Sequence, residues 1–308
     1  MRQFGLSGMG RVTAYVLAAD PNFLRESISA YYGVVDRIVV SYDRSATSWT
    51  GTPLPVAQCL EIIRSIDVEG KCIRLAGDYA RLDHDPLEND TFQRQEALDA
   101  ASDRADWVLQ LDTDEVMTAP GRFFAALSAA DNSGADGLDY PARWLYARAR
   151  PTRYLERSRR FGRVAASYPG PLALRAHTRL RHARQADVPL YRVDFARRST
   201  DPARPRTAPV HEVIGAHEGV LHFSWVRDAE VMKRKLGWSG HAAALAPPKV
   251  YRDWLWRTRH PLITAWSSAL RRSSEEWYRC VTLPEPPGGE PVSLGVRDEV
   301  PRGLGGAT

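Results

Sequence analysis

Short apolar runs alternate with segments of helical period over the first 115 residues of the chain, and that alternation predicts its architecture. Val12 to Ala18 reads as a first strand. Asn22 to Tyr32, with Phe23, Ile28 and Tyr31 or Tyr32 on one side, reads as a helix. Arg37 to Tyr42 is a second strand closing at Asp43, and Pro55 to Ile66, with Val56, Leu60 and Ile63, a second helix. Lys71 to Leu75 predicts a third strand, Asp90 to Ala101 a third helix, and Trp107 to Leu111 a fourth strand running into Asp112. Strands and helices in strict alternation imply crossover connections, hence an α/β fold with a mostly parallel sheet covered by helices on both faces.

Past residue 115 the pattern is more broken. Thr118 is a plausible N-cap and Pro120 a first-turn residue for a helix to about Ala130. Gly137 to Tyr140, Tyr191 to Phe195 and Gly219 to Phe223 predict shorter strands, and Asp228 to Leu236 a helix. The expected organisation is one domain over residues 1–245 and a helical segment rich in aromatics and arginine over 246–283. Proline and glycine then dominate residues 284–308, which predicts a disordered tail.

Composition narrows the class. A hydrophobic fraction of 44% over 308 residues is that of a globular protein with a sizeable core. No run approaches the roughly 18 apolar residues of a spanning helix. The apolar run at Val12 contains Tyr15 and meets Asp20-Pro21, so it reads as a strand rather than a signal peptide. Cys59, Cys72 and Cys280 lack metal-type spacing, and a reducing cytoplasmic setting is the default expectation.

The net charge of +5 is unevenly spread: residues 142–206 hold 17 basic and 4 acidic side chains, nearly all the cations being arginine. Arginine binds phosphate and carboxylate bidentately, so this segment could meet an anionic substrate, a lipid headgroup or nucleic acid. The plainer alternative is a solvated arginine-rich face. No nucleic-acid-binding motif is present, and no nucleic-acid partner is expected. Trp254, Trp256, Trp266 and Trp277, interleaved with arginine, either pack a C-terminal helix onto the core or lie against a membrane surface.

Candidate chemistry centres on Asp112-Thr113-Asp114-Glu115. Carboxylates are rarely buried without a partner, and this knot ends an apolar strand, where open α/β sheets place their ligands. A DxD pair there suits Mg²⁺ or Mn²⁺, which takes one or two carboxylates and fills its other positions with water and phosphate oxygens. A surface turn rich in aspartate is the bland alternative.

Several stretches together resemble the family-2-like glycosyltransferases with a GT-A fold. They are Val12–Ala18 with Asp20-Pro-Asn-Phe-Leu-Arg-Glu, Asp36 to Asp43, Phe92-Gln-Arg94-Gln-Glu-Ala-Leu98, and Ala105 to Glu115. Val210-His211-Glu212 and Val220-Leu-His222-Phe-Ser-Trp225, followed by Lys233 and Lys235, are similar to the second half of such enzymes. The resemblance covers residues 11 to about 245. Ala18-Ala19-Asp20-Pro21 departs from the family's usual Arg-Asn-Glu-type opening.

The resemblance implies a Rossmann-related three-layer αβα sandwich, with residues 11–115 binding a nucleotide sugar and 116–245 forming the acceptor side. It implies a metal-dependent, inverting transfer of sugar from a nucleoside-diphosphate sugar to an acceptor hydroxyl (glycan, lipid-linked or small molecule). Asp114 is the first choice for direct metal ligand, with Asp112 on the ribose or a metal-bound water, His222 as a late imidazole ligand and Glu115 on the loop backbone. Ala18, Asp20, Asp43 and Arg94 are the candidate nucleotide-sugar contacts. Glu212, then Asp194, are the candidate general bases. The expected location is the cytoplasm, with peripheral contact to the inner face of the membrane as an option. The competing readings are a sugar nucleotidyltransferase and a non-catalytic basic module binding an anionic polymer or membrane.

Overall fold

The structure, a computed structural model, describes residues 10–238, 248–270 and 277–283. All six residues of β1 (Val12–Leu17) are buried, as expected of a central parallel strand with both faces covered. It pairs in parallel with β2 (Arg37–Asp43) on one side and with β4 (Trp107–Gln110) on the other. β3 (Cys72–Gly77) adds to β2 at the sheet edge, which explains why Ile73 and Arg74 are exposed.

The two faces of β1 separate the layers. Val12, Ala14 and Val16 pack with α1 (Leu24–Tyr32), α2 (Val56–Ile66) and α4 (Pro120–Ser133). Tyr15 and Leu17 meet Ala97, Leu98 and Ala101 of α3 (Pro86–Ser102) on the other face. A helix layer on each side of a largely parallel sheet gives the expected αβα sandwich.

The chain lays down β1, β2 and β3 in one direction and then crosses to place β4 on the opposite side of β1. That reversal is a topological switch point, and the crevice beyond the carboxyl ends of β1 and β4 is where such sheets hold ligands. Past β4 the sheet continues through β10 (Ala173–Arg175), β6 (Gly137–Asp139), β11 (Leu190–Asp194) and β12 (Glu212–Val213). Only the pairings of β10 are antiparallel.

A second sheet closes the crevice. Its order is β14 (Trp277–Thr282), β8 (Arg153–Arg159), β7 (Ala142–Arg150), β13 (Val220–His222) and β5 (Glu115–Val116), with β9 (Arg163–Val164) on β8. β13 pairs with both β5 and β7, which sets His222 beside Glu115 and Trp144. Three helices complete the described chain: α5 (Ala229–Trp238), α6 (Pro248–Arg259) and α7 (Pro261–Leu270).

Several local expectations are corrected. α3 begins at Pro86 rather than Asp90, because Asp85 caps it by accepting from the Leu87 N–H at 2.8 Å with proline in the first turn. Thr118 does not cap α4: its hydroxyl reaches the carbonyls of His217 and Gly219. The β7–β8 hairpin was not among the expected strands. Segment 246–283 supplies two helices and also the strand β14, which pairs along β8. The tail beyond residue 283 lies outside the described residues.

Part of the arginine-rich segment is used internally, while Arg160, Arg179, Arg197, Arg198 and others stay exposed. Arg143 donates to both oxygens of the fully buried Glu156, joined there by Arg279. Arg192 and Arg204 meet on the fully buried Asp139, and Arg184 on the fully buried Glu115. Four of the segment's 17 arginines therefore neutralise internal carboxylates, and the exposed ones keep a basic surface.

Candidate active site

A cavity of about 540 Å³ opens at the switch point, with Leu17, Asp20, Asp112, Asp114, Arg184, His222 and Lys235 in its wall. This volume lies in the usual range for a small-molecule site. β4 delivers Asp112 and Asp114 to it, α3 delivers Asp90 and Arg94, β13 His222, and α5 Lys235.

Asp114 is the most strongly engaged carboxylate. Its Oδ2 accepts from Lys235 Nζ at 2.7 Å and from Arg227 at 2.9 Å, while its Oδ1 lies 3.5 Å from His222 Nε2. Burial by itself would raise its carboxyl, yet Lys235, then His222 and Arg227, hold it well below the ordinary carboxylate range. Arg227 also donates twice to Asp20, whose other oxygen takes two bonds from Asn22. Asp20 is likewise lowered: burial works against ionisation, and Arg227 followed by Lys235 overcomes it.

Asp112 occupies a different environment. Arg94 bridges Asp90 at 2.6 Å and Asp112 Oδ1 at 2.9 Å, leaving Asp112 Oδ2 without a close cation, Arg184 being 3.9 Å away. Burial would raise this carboxyl too, but Arg94 and Arg184 lower it. Arg94 Nη1 is buried with no hydrogen-bond partner. Glu115 accepts the Asp112 N–H, as expected of a residue that ties down the loop, and both its oxygens are held by Arg184. Gly170 leaves the room Arg184 needs, since a Cβ there would come within 2.6 Å of its Cγ.

Five carboxylates (Asp20, Asp90, Asp112, Asp114, Glu115) thus meet four fixed cations (Arg94, Arg184, Arg227, Lys235) and one imidazole. The cluster is close to neutral as it stands. Among the described residues no three His, Cys, Asp or Glu side chains converge tightly enough to cage a metal ion. A hard cation that takes few protein ligands would draw on a smaller donor set. Asp114 Oδ1 and His222 Nε2, at 3.5 Å, lie near the spacing of about 3 Å between neighbouring donors on an octahedral ion. His222 is steadied by stacking on Trp144, with ring centroids 5.9 Å apart.

Other candidates from the sequence go elsewhere. Asp43 accepts five hydrogen bonds from Ser45, Thr47, Tyr79 and Ala80, so its carboxylate organises two loops and is not available to a base or ribose. Ala18 uses its N–H on Ser41 and lines a small cavity with Asp43 that adjoins the cleft, sharing Leu17, Ala19 and Trp49 with it. Glu212 is paired with Arg122 and accepts from Tyr191. Asp194 is fully buried and takes bonds from Tyr168 and Thr200. Neither Glu212 nor Asp194 lines the cleft, so the geometry does not bring either to the reacting centre. Sequence reasoning missed Asp90, Arg184 and Arg227. Arg94 at four residues after Asp90 was a legible helical pair, whereas Arg184 and Arg227 sit in irregular chain that carries no local signal.

No family model matches this sequence, and no curated protein matches it. Among solved structures, the chain is similar over 54% of its length to 4-diphosphocytidyl-2C-methyl-D-erythritol synthase from Anaerococcus prevotii. That match has 12% identity and a TM-score of 0.31, and covers 70% of that chain. It is also similar over 54% of its length to mannose-1-phosphate geranyltransferase from Thermus thermophilus, with 13% identity and a TM-score of 0.25, covering 50% of that chain. The α/β assignment rests on the sheet order and layering described above.

Proposed function

We propose that the chain is a glycosyltransferase that draws a sugar from a nucleoside-diphosphate sugar seated at the β1–β4 switch point and passes it to an acceptor hydroxyl. The observation that supports this reading most is the meeting of Asp114, His222, Arg227 and Lys235 in one wall of a cavity beyond parallel strand ends.

Breaking a glycosidic bond to a diphosphate adds negative charge to the leaving group, so the site must gather positive charge there. Lys235 Nζ is half-buried, held against Asp114 at 2.7 Å, and its side chain lines the cleft. Arg94 contributes a buried guanidinium to the cavity wall, a group suited to a phosphate oxygen. Mg²⁺ or Mn²⁺ held by Asp114 and His222, with Asp112 beside it, would add Lewis-acid stabilisation of the same charge. Trp49 lines the cleft with its ring fixed by Nε1–H donating to Gln93 at 2.8 Å, a flat wall for a base or sugar.

A sugar nucleotidyltransferase needs backbone donors after β1 to cradle a triphosphate. Here that position holds Ala18-Ala19-Asp20-Pro21, with the Asp20 carboxylate in the cavity wall, which weakens that reading.

Incubation with Mn²⁺ and a panel of UDP-, GDP- and dTDP-sugars should release nucleoside diphosphate slowly even without acceptor. In parallel, nucleoside triphosphates with sugar 1-phosphates should release no pyrophosphate. Pyrophosphate release with no donor hydrolysis would transfer the chain to the nucleotidyltransferase class.

A further inference from the structure

Helix α7 is built inside out. Its buried side chains are Thr264 and Ser268, whereas Leu262, Ile263, Trp266 and Leu270 are 54%, 53%, 69% and 66% exposed. At about 100° per residue these four fall within one arc of roughly 100°. The inward polar side has a structural cause: Ser268 Oγ accepts the Tyr278 N–H at 3.0 Å, capping a backbone donor of the edge strand β14. Satisfying that edge turns the helix so that its large apolar side chains face outward.

The preceding helix, joined through His260 alone, has the complementary character. α6 anchors itself to the core by the buried Trp254, whose Nε1–H donates to the Trp225 carbonyl. It exposes Trp256, together with Lys249, Arg252 and Arg259 on the same side, against the single acid Asp253. An apolar stripe with tryptophan next to a basic, tryptophan-bearing face is the makeup of helices that lie in a membrane interface.

We propose that α6 and α7 form a docking surface for an anionic lipid bilayer. The α7 stripe enters the boundary between headgroups and acyl chains, and Lys249, Arg252 and Arg259 meet the lipid phosphates. Charge selects this occupant over a second copy of the chain. A two-fold contact would set the basic α6 face of one copy near that of its partner, whereas an anionic surface neutralises it. No described helix is long and apolar enough to cross a membrane, so the contact is peripheral. The same α6 lends Val250 and Arg257 to a cavity of about 330 Å³ that shares Trp144 and Trp225 with the cleft. Docking itself does not depend on the transferase reading.

The full-length protein should co-sediment with phosphatidylcholine vesicles containing phosphatidylglycerol and not with phosphatidylcholine alone, and added salt should weaken binding. Leu262→Ser with Trp266→Ser should lower partitioning about tenfold or more while leaving the melting temperature unchanged, since both side chains are exposed. Arg252→Glu with Arg259→Glu should abolish the preference for the anionic lipid. Absence of binding to anionic vesicles, or binding indifferent to the Leu262/Trp266 pair, overturns the proposal. A concentration-dependent dimer dissolved by that same pair also overturns it and assigns the stripe to a second copy. Gain of vesicle binding only on deleting residues 284–308 would assign the stripe to the chain's own C-terminal segment.

Discussion

The cleft at the switch point and the second sheet both bury charge, but they use it differently. In the second sheet, Glu156 is gripped by Arg143 and Arg279 and lines neither of the two cavities beside Trp144 and Trp225. Around Asp114 the same kinds of ion pair form the wall of a space large enough for a ligand. A buried ion pair contributes little net stability over an apolar replacement, although breaking one is costly. Charge enclosed by protein therefore specifies packing, and charge facing a cavity can be redistributed to an incoming anion. Of the arginine excess that suggested a polyanion-binding module, Arg143, Arg192 and Arg204 belong to the first kind, and many others stay exposed.

The largest expected effect tests the cleft. Asp114→Asn removes the group that orders Lys235, Arg227 and His222, and should lower donor turnover by about 10²–10³-fold with the fold intact by circular dichroism. Turnover within a factor of about two of wild type would place the chemistry elsewhere.

Glu156→Gln should do the reverse. It leaves Arg143 and Arg279 facing a neutral amide in a buried site, and chemical denaturation should show a loss of about 3 kcal/mol or more. Donor affinity in the surviving folded fraction should stay as in wild type. A change in affinity with no change in stability would erase the distinction between the two regions.

Acid separates them further. Asp20, Asp112 and Asp114 all have folded-state values below the unfolded carboxylate value of 3.8. The unfolded chain therefore takes up protons first, and the stability these groups contribute is complete above that value and lost as pH falls through the lower, folded-state values. Melting temperature should fall below about pH 4, and the fall should be shallower in Asp114→Asn. Superimposable acid limbs for the two proteins would show that Asp114 is not held ionised by its cations.

The smallest effect concerns the helix that carries Arg94. Asp85→Ala removes the α3 cap and should cost about 1 kcal/mol in denaturant titration. Turnover should scarcely change, because Arg94 is still held between Asp90 and Asp112. A fall in turnover comparable to that of Asp114→Asn would show that α3 positions the cleft far more than its own stability implies.

The boundary between legible and hidden features follows sequence distance. The first four strands, the helices between them and the ending of β4 in Asp112 and Asp114 were readable from the chain alone, because period and propensity act over neighbouring residues. In the β7–β8 hairpin the buried position of Arg143 was hidden, because its partner Glu156 rather than its own character buries it. Asp43 and Glu212 looked like site residues and are occupied by nearby loops and by Arg122. What the sequence by itself determined is an α/β sheet with a carboxylate pair at a strand end. Which groups meet that pair was decided only in three dimensions: Lys235 lies 121 positions from Asp114, and Arg227 lies 207 from Asp20. No local pattern records such pairings. They arise because the sheet reverses direction beside β1 and the second sheet folds over the gap, and burial then compels each charge to find its opposite.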